Sequence, residues 1–123
     1  YWEDEEGSTN LELKASDASA NPYISLGGVI AAALDGIEQG LDPGEPVDEY
    51  PGNLTAAERE RRGIRRFPET AGEALDELER DQVLMSALGE PLAREYLKVR
   101  RAEAAAYAGN DTAYELEQHF FKY

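Results

Sequence analysis

Thr9-Asn10-Leu11-Glu12-Leu13-Lys14-Ala15-Ser16-Asp17-Ala18-Ser19-Ala20-Asn21-Pro22-Tyr23 is the stretch on which the fold turns. Between Thr9 and Ala15 apolar and polar side chains alternate, with Leu11, Leu13 and Ala15 on one side and Asn10, Glu12 and Lys14 on the other. A period of two residues predicts a strand over about 9–15. Residues two apart on one face stand about 6 to 7 Å from each other along the backbone, so Glu12 and Lys14 share a polar face fit to line a cleft. Ser16 to Ala20 then turns the chain. Asn21-Pro22 predicts a helix start, because an Asn side chain can take up free N–H groups and proline suits the first helical position.

Downstream of Asn21 the pattern is helical. Leu26, Ile30, Leu34, Ile37 and Leu41 form one apolar stripe of a helix over about Pro22 to Gln39, and Gly40 ends it. Gly27, Gly28 and Ala31 to Ala33 keep the rest of that helix small, which predicts close approach by neighbours and burial on most sides. Asp42 to Asn53, with Pro43, Gly44, Pro46, Pro51 and Gly52, reads as a surface loop. Thr55-Ala56-Ala57-Glu58 and Thr70-Ala71-Gly72-Glu73 are capping boxes, each opening a helix, the first stopped by Gly63. Ile64 to Pro68 is extended. Ala71, Ala74, Leu75 and Leu78 give the second of these helices a buried face. Asp81 caps the next turn, with Val83, Leu84, Ala87 and Leu88 inward and Gly89 closing it. Pro91 starts a longer helix with Leu92, Tyr96 and Val99 at core spacing, and Thr112-Ala113-Tyr114-Glu115 opens a last one near Phe120, Phe121 and Tyr123. The fold class is mostly α with one N-terminal strand, in a single domain over residues 1–123.

A lone strand followed by helices has no ladder partner. Burying its N–H and C=O groups unpaired costs about 1 to 3 kcal/mol each, so the strand needs a sheet from outside these 123 residues. The start at Tyr1 without an initiator Met also fits a piece of a longer protein or a trimmed one.

Composition narrows the function. One core is expected at this length, and the 41% hydrophobic content argues against general disorder. Twenty-six acidic against twelve basic residues give a net charge of −14, which repels nucleic-acid phosphates and anionic lipid surfaces. The basic residues include only Lys14, Lys98 and Lys122 as lysines, and an acid-rich, lysine-poor balance suits solubility in a salt-rich cytosol as well as it suits an ordinary acidic protein. There is no cysteine, so disulfides, thiolate metal sites and cysteine nucleophiles are excluded. The uncharged apolar run Tyr23 to Leu34 falls short of the about 20 residues that cross a bilayer, and no basic-then-apolar leader precedes it; a cytoplasmic location is expected.

The segment Asn10 to Tyr23 resembles the glutamine synthetase motif in which a strand carries Glu-x-Arg, followed by an Asp and then Ala-Asn-Pro-Tyr at a helix start. Leu34-Asp35-Gly36-Ile37, Pro46-Val47-Asp48, Gly72-Glu73-Ala74-Leu75 and Tyr114-Glu115-Leu116-Glu117 with the terminal Tyr123 are similar to that family as well. The resemblance runs from Asn10 almost to the end of the chain. It implies the C-terminal part of an α+β catalytic domain, whose remaining N-terminal part completes the enzyme. It also implies large ring homo-oligomers with active sites shared between neighbouring subunits.

The resemblance further implies an ATP-dependent ligase that activates the γ-carboxylate of glutamate as an acyl phosphate, which ammonia or another amine then attacks. Glu12 matches the carboxylate that binds a Mg²⁺ or Mn²⁺ at the ATP phosphates, as suits hard cations that prefer oxygen ligands. Lys14 matches the family's Arg near the transferring phosphoryl group, where a cation offsets developing charge. Here the sequence departs from the family, since lysine is a point charge without the bidentate fork of arginine. The departure hints at a divergent branch acting on amines other than ammonia.

Each candidate has a plainer reading. Glu12 and Lys14 also suit an ion pair on an exposed strand, worth about 0 to 1 kcal/mol. Asn21-Pro22-Tyr23 reads as structural, a cap followed by a core aromatic. Arg59, Arg61, Arg62, Arg65 and Arg66 form the one basic patch, but Glu58, Glu60 and Glu69 interleave it and a paired, solvated helix is expected. His119 has no evident catalytic partner. Gly27-Gly28 lacks the Lys-Ser/Thr of a phosphate loop. The competing class is a non-catalytic acidic helical module acting in oligomer or partner contacts. Acidic mimicry of nucleic acid has no spacing to support it.

Overall fold

The computed structural model describes Gly7 and residues 11–120. Six helices follow one another: α1 (Pro22–Gln39), α2 (Ala56–Arg61), α3 (Ala71–Arg80), α4 (Gln82–Leu88), α5 (Glu90–Ala108) and α6 (Thr112–His119), with one 3-10 turn at Pro51–Asn53.

Helix boundaries follow from local capping chemistry. Asn21 Oδ1 accepts from the N–H groups of Tyr23 and Ile24 at 3.0 and 3.3 Å, with proline in the first turn behind it. At the other end of α1, Gly40 adopts φ +61°, and Leu41 N–H reaches back to the Gly36 carbonyl at 2.9 Å. This left-handed turn takes up helix-end carbonyls at a conformation that only glycine adopts without a Cβ penalty. Thr55 and Thr70 accept from Glu58 N–H at 3.2 Å and Glu73 N–H at 3.1 Å, as their spacing predicts. The acids of the two boxes turn elsewhere: Glu58 pairs with Arg61 and Arg62, and Glu73 accepts from Glu69 N–H at 2.9 Å. Asp81 caps α4 as expected, accepting from Val83 and Leu84 N–H, each at 3.0 Å. The last helix is capped by Asp111, which accepts from Tyr114 N–H at 3.2 Å, rather than opened by Thr112 alone.

Among the described residues the buried apolar ones are few: Leu54, Leu75, Ala93 and Leu97. Helices α3, α4 and α5 pack on one another, and α1 packs on α4. On α5 the inward positions are Ala93 and Leu97, not Leu92 and Val99, which are exposed. The small Ala93 lets the neighbouring helices come close, so the contact face is rotated by one residue from the stripe of larger side chains. Arg101 ties α5 to α3, its guanidinium meeting Asp76 at 2.8 Å and Glu79 at 2.7 Å.

Two expectations need correction. The strand over 9–15 is not formed: Thr9 and Asn10 lie outside the described residues, Leu11 to Leu13 have no regular structure, Lys14 and Ala15 sit in a turn, and no strand occurs among the described residues. A strand exists only through a ladder partner, and none is present. Nor is α1 buried on most sides. Its half-buried residues, Ile24, Ser25, Gly28, Val29, Ala31, Asp35 and Gly36, lie on one side of the helix; a Cβ built on Gly28 would lie 3.9 Å from Leu84 Cδ2 of α4, in ordinary contact. The larger stripe of Leu26, Ile30, Leu34 and Ile37 lies on the opposite side and is exposed. Each such side chain forgoes part of the about 1.5 to 3 kcal/mol that full burial would contribute.

Candidate functional site

Residues 11–21 lie across the N-terminal end of α1 and carry the candidate chemistry. Ser16 and Ser25 share a hydroxyl–hydroxyl hydrogen bond of 2.8 Å, joining the segment to the helix. Asp17 closes the turn: the backbone N–H and the hydroxyl of Ser19 both donate to its carboxylate at 2.7 Å. Those two bonds, the backbone one first, hold the Asp17 carboxyl below its ordinary range. This Asx turn then delivers the chain to the Asn21 cap.

A groove of about 370 Å³ runs along this junction, with Leu11, Leu13, Asp17, Pro22, Leu26 and Val29 among its walls. Glu12 and Lys14 do not line it. Their side chains form a direct ion pair and stand in solvent, Lys14 84% and Glu12 63% exposed. The structure therefore brings the two sequence-predicted site residues together as mutual partners on an open surface. In such a setting their attraction is worth little to stability, and both groups remain available to a third charge.

The donor set can be tested against a divalent ion. A carboxylate oxygen suits Mg²⁺ or Mn²⁺, and Glu12 presents one to solvent. Among the described residues, no group of three or more His, Cys, Asp or Glu side chains could hold a metal. Glu12 alone offers a divalent ion a single carboxylate.

The remaining charged features are structural. Of the Arg cluster, Arg61 pairs with Glu58, Arg62 with Glu58 at 2.9 Å and Glu49 at 3.1 Å, Arg66 with Glu69 at 3.0 Å, and Arg59 donates to the Leu54 carbonyl. Hydrogen bonds from Arg61 and then Arg62 hold the Glu58 carboxyl below its ordinary value. Arg61, Arg62 and Arg66 are thus paired with acids of their own chain. At the C-terminal side, Tyr107 stacks on His119 at 5.2 Å and meets Tyr114 edge-on at 5.5 Å, a cluster across two helices that no local spacing in the sequence signals. Phe121 and Tyr123 lie outside the described residues. No helix among the described residues is long and apolar enough to cross a membrane.

Residues 2–119 match the family model described as glutamine synthetase, catalytic domain. The chain is 35% identical to a glutamine synthetase of Halobacterium salinarum over 116 residues, which cover 94% of the chain and 26% of that protein. It is 36% identical to a glutamine synthetase of Thermus thermophilus over 115 residues, 94% of the chain and 26% of that protein. It is 37% identical to a glutamate–methylamine ligase of Methyloversatilis universalis over 109 residues, 89% of the chain and 24% of that protein. The chain thus spans about a quarter of the length of these curated relatives.

Proposed function

The chain belongs to the glutamine synthetase catalytic-domain family, and from that membership we propose that it supplies one edge of the active site of a longer ATP-dependent ligase joining ammonia or an amine to glutamate. In this reaction the γ-carboxylate of glutamate attacks the γ-phosphorus of ATP, giving ADP and γ-glutamyl phosphate. The neutral amine then attacks the acyl carbon, phosphate leaves, and the amine's proton passes to solvent or a base.

The observation that carries the reading is the placement of Glu12 and Lys14. The segment that resembles the family motif presents one anion and one cation to solvent, immediately ahead of the Asn21-capped helix. Glu12 would hold one coordination position of a Mg²⁺ or Mn²⁺ ion. When bound, that ion neutralises phosphate charge. Lys14 lies two residues away and faces the anionic side of the same site, where its ammonium offsets charge on the transferring phosphoryl group. With the rest of the catalytic domain in place, residues 9–15 join its sheet as a strand, which holds both side chains on one face. Homo-oligomeric assembly and a cytoplasmic setting, where ATP and glutamate are at hand, belong to the same proposal.

Lysine in place of arginine leaves the acceptor open between ammonia and a larger amine. Relatives named for both reactions are similar to this chain, so identity alone does not separate them. The test is glutamate-dependent release of phosphate from ATP by the longer protein, with ammonium and with methylamine in parallel. Release with at least one amine, and none without glutamate, is expected. Absence of release with any amine would contradict the ligase reading.

A further inference from the structure

We infer that Ser16 and Ser25 are positioning residues for the ligase reaction: their hydroxyl–hydroxyl bond fastens the end of the site segment to α1 and so sets where the Lys14 ammonium stands. The inference rests on the reading that the chain works within a longer ligase.

The bond does something other than build the helix. A serine inside a helix ordinarily turns its hydroxyl back to the carbonyl four residues earlier. For Ser25 that carbonyl is at hand, since its own N–H donates to the Asn21 carbonyl at 2.9 Å. Its hydroxyl instead meets the Ser16 hydroxyl at 2.8 Å, nine residues back along the chain. The start of α1 does not depend on this bond, because Asn21 Oδ1 already takes up the N–H groups of Tyr23 and Ile24. Alanine at position 25 would suit the helix better. What the serine contributes is placement.

The two ends of the bond differ in freedom. Ser25 lies on the half-buried side of α1, together with Gly28, where α4 comes close. Residues 11–16 are exposed, and Leu11 to Leu13 have no regular structure. Lys14 is seven residues from the Asn21 cap, a span that can reach up to about 25 Å, but two residues from Ser16, a span of at most about 7 Å. The Asp17 carboxylate, which accepts from the Ser19 N–H and hydroxyl, folds the chain between the two serines so that they meet. The hydroxyl bond thus holds Lys14 on a short tether to a packed helix.

A sheet ladder does not make this tether redundant. With residues 9–15 paired as a strand, Lys14 stands next to the last strand residue, where pairing frays first, and Ser16 lies just beyond it. Glu12 stands further inside. Misplacement by about 1 Å can cost about 100-fold in rate, so loss of the tether acts on Lys14 and phosphoryl transfer more than on Glu12 and its metal.

Ser16→Ala, Ser25→Ala and the double variant of the longer ligase test the inference. Each single substitution should lower kcat for glutamate-dependent phosphate release by about tenfold. The double variant should fall no further, because either change alone removes the bond. Mn²⁺ affinity should stay nearly constant, and the melting temperature of Ser25→Ala should hold or rise. Ser25→Thr keeps a hydroxyl and should retain most of the turnover. Unaltered kcat in the single variants, or losses that multiply in the double variant, would overturn the inference. A fall in turnover accompanied by a lowered melting temperature in Ser25→Ala would overturn it too, as the mark of a merely structural bond. A wild-type ligase that releases no phosphate with any amine would sink the ligase reading and this inference with it, whereas an active wild type with unaffected variants sinks this inference alone.

Discussion

The Lys14 ammonium closes directly on the Glu12 carboxylate, two residues back along a segment without regular structure, and both side chains stand in solvent. An ion pair so placed exchanges hydration for a screened attraction and contributes about 0 to 1 kcal/mol. Lys14→Met should therefore leave the melting temperature of the 123-residue chain nearly unchanged, while lowering the rate of glutamate-dependent phosphate release in the longer ligase. Thermal melts and the phosphate assay, run on the same substitution, separate the two effects. A large loss of stability without loss of turnover would mean that the pair is structural.

Asn21 ties the same segment to α1 through two hydrogen bonds to backbone N–H groups. Asn21→Ala removes both and should cost about 1 kcal/mol, whereas Asn21→Asp or Asn21→Ser should retain most of the stability, because each keeps an acceptor at the cap. Urea unfolding of the three variants checks the order.

These caps explain why the helices were legible in the sequence. Asn21, Thr55, Thr70, Asp81, Gly40 and Gly89 act on N–H and C=O groups within a few residues, so their effect does not depend on the rest of the molecule. The 9–15 strand and the covering of α1 depend on surfaces from elsewhere, and both expectations failed for that reason. The inward face of α5 was misjudged because Ala93 contributes little hydrophobicity and much closeness, which only the packing with its neighbours reveals. Of the candidate site, alternation gave Glu12 and Lys14 a common side, and only the resemblance to a family motif singled them out. Their pairing with each other in solvent was the plainer reading of the same charges.

Acid should weaken the fold through specific carboxylates. Asp17 and Glu58 have folded-state values below those of the unfolded chain, so each favours folding above its unfolded value and loses that contribution as the pH falls through its folded value. The melting temperature should drop as the pH is lowered from the ordinary carboxylate range into this depressed one. The pair of substitutions Asp17→Asn and Glu58→Gln should flatten that drop; an unaltered slope would assign the acid sensitivity to other groups.

Salt should act in the opposite sense from what a count of ion pairs suggests. Most pairs are exposed and join residues three or four apart, such as Arg80 with Glu77 and Arg100 with Glu103, and screening removes little from them. A net charge of −14, by contrast, repels itself across the whole chain. Raising KCl from about 0.1 to about 1 M shortens the Debye length from about 10 to about 3 Å and should raise the melting temperature. A fall would show that the local pairs outweigh the self-repulsion.

The most direct test of the central claim is calorimetric titration of Mn²⁺, with nucleotide present, into the longer ligase and its Glu12→Ala variant. Loss of even a supporting group around a metal commonly costs 10- to 100-fold in affinity, so removal of a ligand should weaken binding by about tenfold or more while the melting temperature of the metal-free protein stays nearly constant. Unchanged Mn²⁺ affinity in Glu12→Ala would contradict the assignment.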